Sequence, residues 1–186
     1  MNVRKSIVAT IVITFLSGLL IFVALSAPIH ELIFHFIPAD GPVSILDRAS
    51  LDNGVVNYYF TGHQSWLSGF TQNEQQHLAD ARIRFIALAI LAFIGAVILI
   101  LKRPKIIEWQ WAATATISVA LISSIAFEPL FILLHELIFP GGNWYLPSDQ
   151  YVITQIYPLN FFISCWAIVS LGSWGLLFAL GKRKLE

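Results

Sequence analysis

Four stretches of the chain are apolar over lengths that match a bilayer, at residues 7–27, 83–101, 111–134 and 161–180. A helix needs about 20 such residues to cross the hydrocarbon core. The pattern predicts an all-α membrane protein with four transmembrane helices, built as a single integral membrane domain over residues 1–186. The polar stretches between the runs are unequal. A short link surrounds Pro104, whereas residues 28–82 and 135–160 form long connections. The first run exceeds the ~7–15 apolar residues of a secretory signal, so it reads as a span.

Two of the runs are followed by the same five residues. His30-Glu31-Leu32-Ile33-Phe34 follows the first and His135-Glu136-Leu137-Ile138-Phe139 follows the third. Each copy precedes a similar aromatic segment, Asn57-Tyr58-Tyr59-Phe60 with Gln64 and Asn143-Trp144-Tyr145-Leu146 with Gln150. A parallel duplication accounts for this order, and so does chance in a chain rich in Leu, Ile and Phe. In duplicated membrane folds, sites often form where the repeats meet. Histidine and glutamate are costly near lipid, so their recurrence at one depth directs attention to that surface.

Charge placement orients the chain. Of its 11 basic residues, eight lie at Arg4 and Lys5, at Lys102, Arg103 and Lys105, and at Lys182, Arg183 and Lys184. With four spans these fall on one side, and the positive-inside rule makes that side cytoplasmic. Both termini are then inside, and the two long loops form a small extracytoplasmic cap. Hydrophobic residues at 57%, charged residues at 12% and a mean hydropathy of +0.74 exclude a soluble globular domain. Nothing suggests a nucleic-acid partner. Cys165 is the only cysteine, which excludes an internal disulfide or a thiol relay.

Within the first loop, Val55-Val56-Asn57-Tyr58-Tyr59-Phe60 is rich in strand formers and bounded by Gly54 and Gly62, which predicts an extended segment. Thr71 followed by Glu74 predicts a capped helix start. That helix would run through His77 and Asp80 into the second span. Trp66, Trp144, Tyr145, Tyr151 and Tyr157 suit a cap at headgroup level.

The histidines His30, His35, His63, His77 and His135 all fall in the outward segments. Imidazole is the side chain best suited to move protons near neutral pH. Asp80 follows His77 by one helical turn and is placed to orient it. Around His135, Pro140-Gly141-Gly142 breaks the chain, and glycines let backbone N–H groups approach a ligand. Glu128, about two turns before His135, is a carboxylate inside an apolar run and a candidate for the same face. Metal chemistry has no local signature here. His30 and His35 are five residues apart, whereas zinc-binding helices use i and i+4. The placement of the histidines at the rim also disfavours bis-histidine haem. No cofactor is expected.

The residues His77-Leu78-Ala79-Asp80-Ala81-Arg82 and His135-Glu136-Leu137-Ile138-Phe139-Pro140-Gly141-Gly142-Asn143-Trp144 resemble two signatures of one bacterial four-span family, which includes the lipoprotein intramolecular transacylase. Tyr157-Pro158-Leu159-Asn160-Phe161-Phe162 is similar to that family's entry into its last span. The resemblance implies an enzyme of the bacterial cytoplasmic (inner) membrane, with its active site on the extracytoplasmic side among membrane phospholipid. Its substrate would be a diacylglyceryl-modified lipoprotein, whose sn-2 acyl chain moves to the α-amino group of the N-terminal cysteine. His77 and His135 would be catalytic, with support from Asp80, Arg82, Glu128, Glu136, Asn143 and Trp144. One imidazole would act as base and the other as acid or oxyanion donor, His77 and His135 in that order or the reverse. A reading from another class is a non-enzymatic subunit or small transporter that uses the same histidines to sense pH or bind a ligand.

Overall fold

The computed structural model describes residues 3–142 and 144–182. Among them there is no strand. The elements are α1 (Val3–Ala24), α2 (Ala27–Phe36), α3 (Ile45–Thr61), a 3-10 turn (Gln64–Leu67), α4 (Gln72–Lys102), α5 (Ile106–Ile125), α6 (Phe127–Ile138), α7 (Val152–Ile156) and α8 (Leu159–Lys182). α1, α4 and α8 are each long and apolar enough to cross a membrane, and α5 with α6 supplies a fourth span if the pair is counted as one.

The run at 111–134, expected as one transmembrane helix, is broken. α5 ends at Ile125, and Ala126 has φ −128° and ψ 41°, outside helical values. Pro129 is the cause. It has no N–H to offer the carbonyl of Ile125, and its ring would clash with that carbonyl in a continuous helix. In the first turn of a new helix the missing N–H costs nothing. The first repeat copy is arranged alike: α2 starts after a break with Pro28 in its opening turn. Both five-residue strings therefore start on short helices restarted by proline, the second leaving its helix at Phe139. The aromatic segments do not share a conformation, since Asn57 to Phe60 is helical and 144–147 is loop.

By its contacts the chain divides into two compact units. The first comprises residues 1–22, 85–126 and 166–186. Its core is Ile11, Leu99, Ala112, Ala113 and Leu177, with Val12, Phe15 and Trp109 packed against it. Small residues let these helices approach closely. A Cβ on Gly95 would overlap the Thr14 hydroxyl. Trp166 Nε1 donates to Ser123 Oγ at 2.8 Å, which satisfies an indole in an apolar setting.

The second unit comprises residues 23–84 and 127–165 and holds every histidine. Here the expected extended segment at 55–60 is instead part of α3. Propensity for strand depends on context, and three local features favour helix. Ser44 Oγ accepts from the Asp47 N–H at 3.1 Å as an N-cap. Gly62, at φ 75°, closes the helix through its N–H to the Tyr58 carbonyl. Buried Arg48, Asp52, Val55 and Val56 recur at helical spacing along one side.

That buried side is unusually polar. His30 Nδ1 lies 2.7 Å from Asp52 Oδ1, and its Nε2 lies 2.9 Å from the Val23 carbonyl. The Tyr157 hydroxyl donates to the same Asp52 oxygen at 2.6 Å. Burial first, then the Asp52 carboxylate, pushes the Tyr157 hydroxyl well above the ordinary tyrosine range, so it stays a donor. Arg48 donates to the carbonyls of Ile156 and Ile37, at 2.9 and 2.6 Å, and lies 3.8 Å over the Phe34 ring. Burial lowers its pKa from the ordinary arginine value, against the opposing pull of Tyr157 and Asp52. Buried ions are costly unless hydrogen-bonded, and Arg48 is satisfied in part, its Nη2 having no partner among the described residues.

Candidate active site

The start of α4 is fixed before His77 is reached. Glu74 Oε2 accepts from the Thr71 N–H and hydroxyl, each at 2.7 Å, which is the expected capping arrangement. Its other oxygen accepts the Ile153 N–H at 2.7 Å, so one fully buried carboxylate also holds α7. Leu78, 2% exposed, anchors the next turn. His77 is then presented half-buried, its ring 4.8 Å from that of Phe139. Its Nδ1 is buried without a hydrogen-bond partner among the described residues.

His135 lies in the last turn of α6. Its Nδ1 is 2.8 Å from the Phe131 carbonyl, one helical turn back. A carbonyl only accepts, so Nδ1 carries the proton and the neutral ring keeps its lone pair on Nε2. The ring stacks with Phe139 at 5.6 Å and touches Phe131 at 4.0 Å and Trp144 at 5.5 Å. Both imidazoles thus contact one ring, that of Phe139, which is 7% exposed. After it, Gly142 takes φ 73°, a conformation open mainly to glycine, and donates its N–H to the Phe139 carbonyl.

A groove of 540 Å³ opens beside this cluster, walled by Ile132, Glu136, Phe139, Trp144 and Tyr145. A further cleft of 420 Å³ along α6 shares Ile132 and Glu136 and reaches Glu128. The lining is mostly apolar with a few polar groups, Glu128 and Glu136 among them, as in ligand sites generally.

Of the residues expected from sequence, His77 and His135 meet at Phe139, Trp144 lies against His135, and Glu136 and Glu128 line the grooves. Asp80 Oδ1 lies 3.4 Å from Arg84 Nη1 rather than on His77 Nδ1. Arg82 is engaged with α3, where its Nε donates to the Tyr59 carbonyl at 3.1 Å. Asn143 lies outside the described residues. His30 is enclosed in the Asp52 pair, while His35 and His63 are exposed. Phe139 carries no expected role of its own, and Arg84, which with Arg82 suits a headgroup anchor by its place after Asp80, meets protein instead. Phe139 was visible as the last letter of the second repeat copy. Arg84 was visible as a position two turns beyond His77 on the same side of α4.

The family model described as "Lipoprotein intramolecular transacylase Lit" matches residues 48–162. Among solved structures, the chain is similar to the in meso structure of the membrane integral lipoprotein intramolecular transacylase Lit from Bacillus cereus. The TM-score is 0.69 at 18% identity, over 95% of this chain and 91% of that one. A variant of the Bacillus cereus protein with a histidine changed to alanine gives a TM-score of 0.68 at 17% identity, over 98% and 91%. At such identities the likeness concerns the fold. No curated protein sequence matches. The family match covers well over half of the chain and includes both His77 and His135, so the chain belongs to the lipoprotein intramolecular transacylase family.

Proposed function

We propose that the protein moves the sn-2 acyl chain of a diacylglyceryl lipoprotein to the α-amino group of its N-terminal cysteine. The reaction forms one amide bond and breaks one ester bond. The amine loses a proton, and the departing glyceryl oxygen gains one. Amine and ester belong to one substrate, so no covalent enzyme nucleophile is required, and holding them together removes much of the barrier.

The observation that carries this reading is the hydrogen bond from His135 Nδ1 to its own helix, which leaves Nε2 as a proton acceptor. It favours the reversed order of roles. His135 takes the amine proton through Nε2, and His77, which also contacts Phe139, delivers a proton to the leaving alkoxide. The proton held on His135 then replaces the one His77 gave, so neither ring changes over a turnover. Each such transfer contributes typically 10²–10⁴-fold. Trp144 and the groove beside it receive the lipid portion, and Glu136 lies at the groove edge near the incoming amine. Asp80, Arg82, Glu128 and Asn143 act in support of this face. The charge pattern supports both termini in the cytoplasm and the site at the outer leaflet of the bacterial inner membrane, bordered by phospholipid.

The test is mass spectrometry of a lipoprotein N-terminus in cells that express the chain. Acylated α-amine together with a lyso-glyceryl ester is the expected product. An N-terminus that stays free with wild-type protein present, while proton- or ligand-dependent flux depends on His77 and His135, would replace the enzyme reading with a transport one.

A further inference from the structure

Arg84 follows His77 by seven residues, two turns along the same side of α4. Its guanidinium is turned toward protein and not left free for headgroups. Nη1 donates to the Asp80 carbonyl at 3.0 Å, and Nη2 donates to the Ile138 carbonyl at 3.1 Å. The guanidinium carbon lies 5.0 Å from the Phe139 ring centroid. Ile138 is the last residue of α6, so its carbonyl belongs to the four that have no partner within the helix. A cation there is also favoured by the helix dipole. Arg84 therefore caps, from the helix that bears His77, the helix that bears His135. The next residue after the capped carbonyl is Phe139, whose ring contacts both imidazoles.

We propose that Arg84 is a positioning residue, whose planar fork fixes the spacing of His77 and His135 through Ile138 and Phe139. Lysine offers a compact charge and cannot serve both carbonyls while lying flat on the ring. The rate readout rests on the acyl-transfer reading; the placement of the histidines does not.

The experiment compares wild type, Arg84→Ala and Arg84→Lys as full chains in detergent with a diacylated lipoprotein. Misplacement by about 1 Å costs up to about 10²-fold, so kcat is expected to fall about 10–100-fold in Arg84→Ala with KM little changed. Arg84→Lys is expected to recover only a small part, and added methylguanidinium to restore part of the Arg84→Ala rate. In parallel, diethylpyrocarbonate modification is mapped per histidine by mass spectrometry. His77 and His135 are expected to react faster in both variants, against the exposed His35 and His63 as internal standards. Unchanged kcat with unchanged reactivity overturns the proposal. A loss confined to KM and fully restored by Arg84→Lys also overturns it, because that pattern marks a headgroup anchor. If the wild type transfers no acyl group, the acyl-transfer reading fails and the modification arm alone decides on Arg84. If Arg84→Ala does not fold, Arg84→Lys carries both arms.

Discussion

His30 and Asp52 face each other across 2.7 Å in the interior of the second unit, 5% and 1% exposed. Val23 and Tyr157 add further hydrogen bonds, to His30 Nε2 and to the same Asp52 oxygen, while Asp52 Oδ2 is buried with no partner among the described residues, so the pair is costly to divide. Removing one member of a buried ionic pair typically costs 3–5 kcal/mol, because the other is left uncompensated. Asp52→Ala is accordingly expected to lower stability by about that amount, read as thermal unfolding in micelles. A loss below about 1 kcal/mol would show that the pair is not held as described.

The Tyr157 hydroxyl gives this set a pH signature. Its folded-state pKa is raised above the ordinary value of 10.0. The unfolded chain therefore releases this proton near pH 10 while the folded chain retains it. Stability from this group is fully present below that pH and is lost as pH rises beyond it. Wild type should lose stability at alkaline pH more steeply than Tyr157→Phe. Parallel curves for the two proteins would contradict the assignment.

At the proposed site, His77→Asn and His135→Asn should each reduce kcat by about 10²–10⁴-fold. The double variant should be scarcely slower than either single one, since the two act on one proton inventory. Fully multiplicative losses would mean that the residues work independently. His63→Asn, at an exposed position, should leave the rate unchanged.

Gly54 tests the close packing of α3 on the 3-10 turn. A Cβ there would lie 2.6 Å from the Trp66 carbonyl oxygen, a backbone atom that cannot rotate aside. Helix propensity alone would favour alanine by about 1 kcal/mol. Overpacking a close contact costs typically 1–3 kcal/mol, so Gly54→Ala should destabilise on balance. A variant with higher thermal stability than wild type would refute the close approach.

Much of the site-bearing framework was legible in the chain itself. Thr71 and Glu74 announced the start of α4, and the apolar run from Ile83 continued it. His77 and His135 stood out by resemblance and by their neighbours. The second connection of Glu74, to Ile153, was not legible, because a capping box reveals nothing about distant partners. The same holds for Arg84, whose carbonyl acceptor lies 54 residues away in sequence. The helical state of α3 is hidden in the sequence for a different reason. Its buried face includes Arg48 and Asp52, which a search for apolar periodicity counts as solvent positions. The break before α6 was written in Pro129, but the length of the apolar run outweighed it. In the first repeat copy, His30 found Asp52 as a partner, whereas among the described residues His135 has a hydrogen-bond partner for Nδ1 alone. Identical strings thus ended in different chemistry.

The double duty of Glu74 bears on how such a protein can diversify. Its carboxylate gives α7 a fixed address on α4, at the N–H of Ile153. Upstream of that address, residues 144–151 form turns and loop beside the groove, with Asn73 reaching Tyr151 at 3.2 Å as a lighter tether. Insertions or swaps confined to that segment leave the histidine-bearing helices where they are. The groove wall is therefore the part of the molecule most open to change, while the helices that carry His77 and His135 are held from elsewhere.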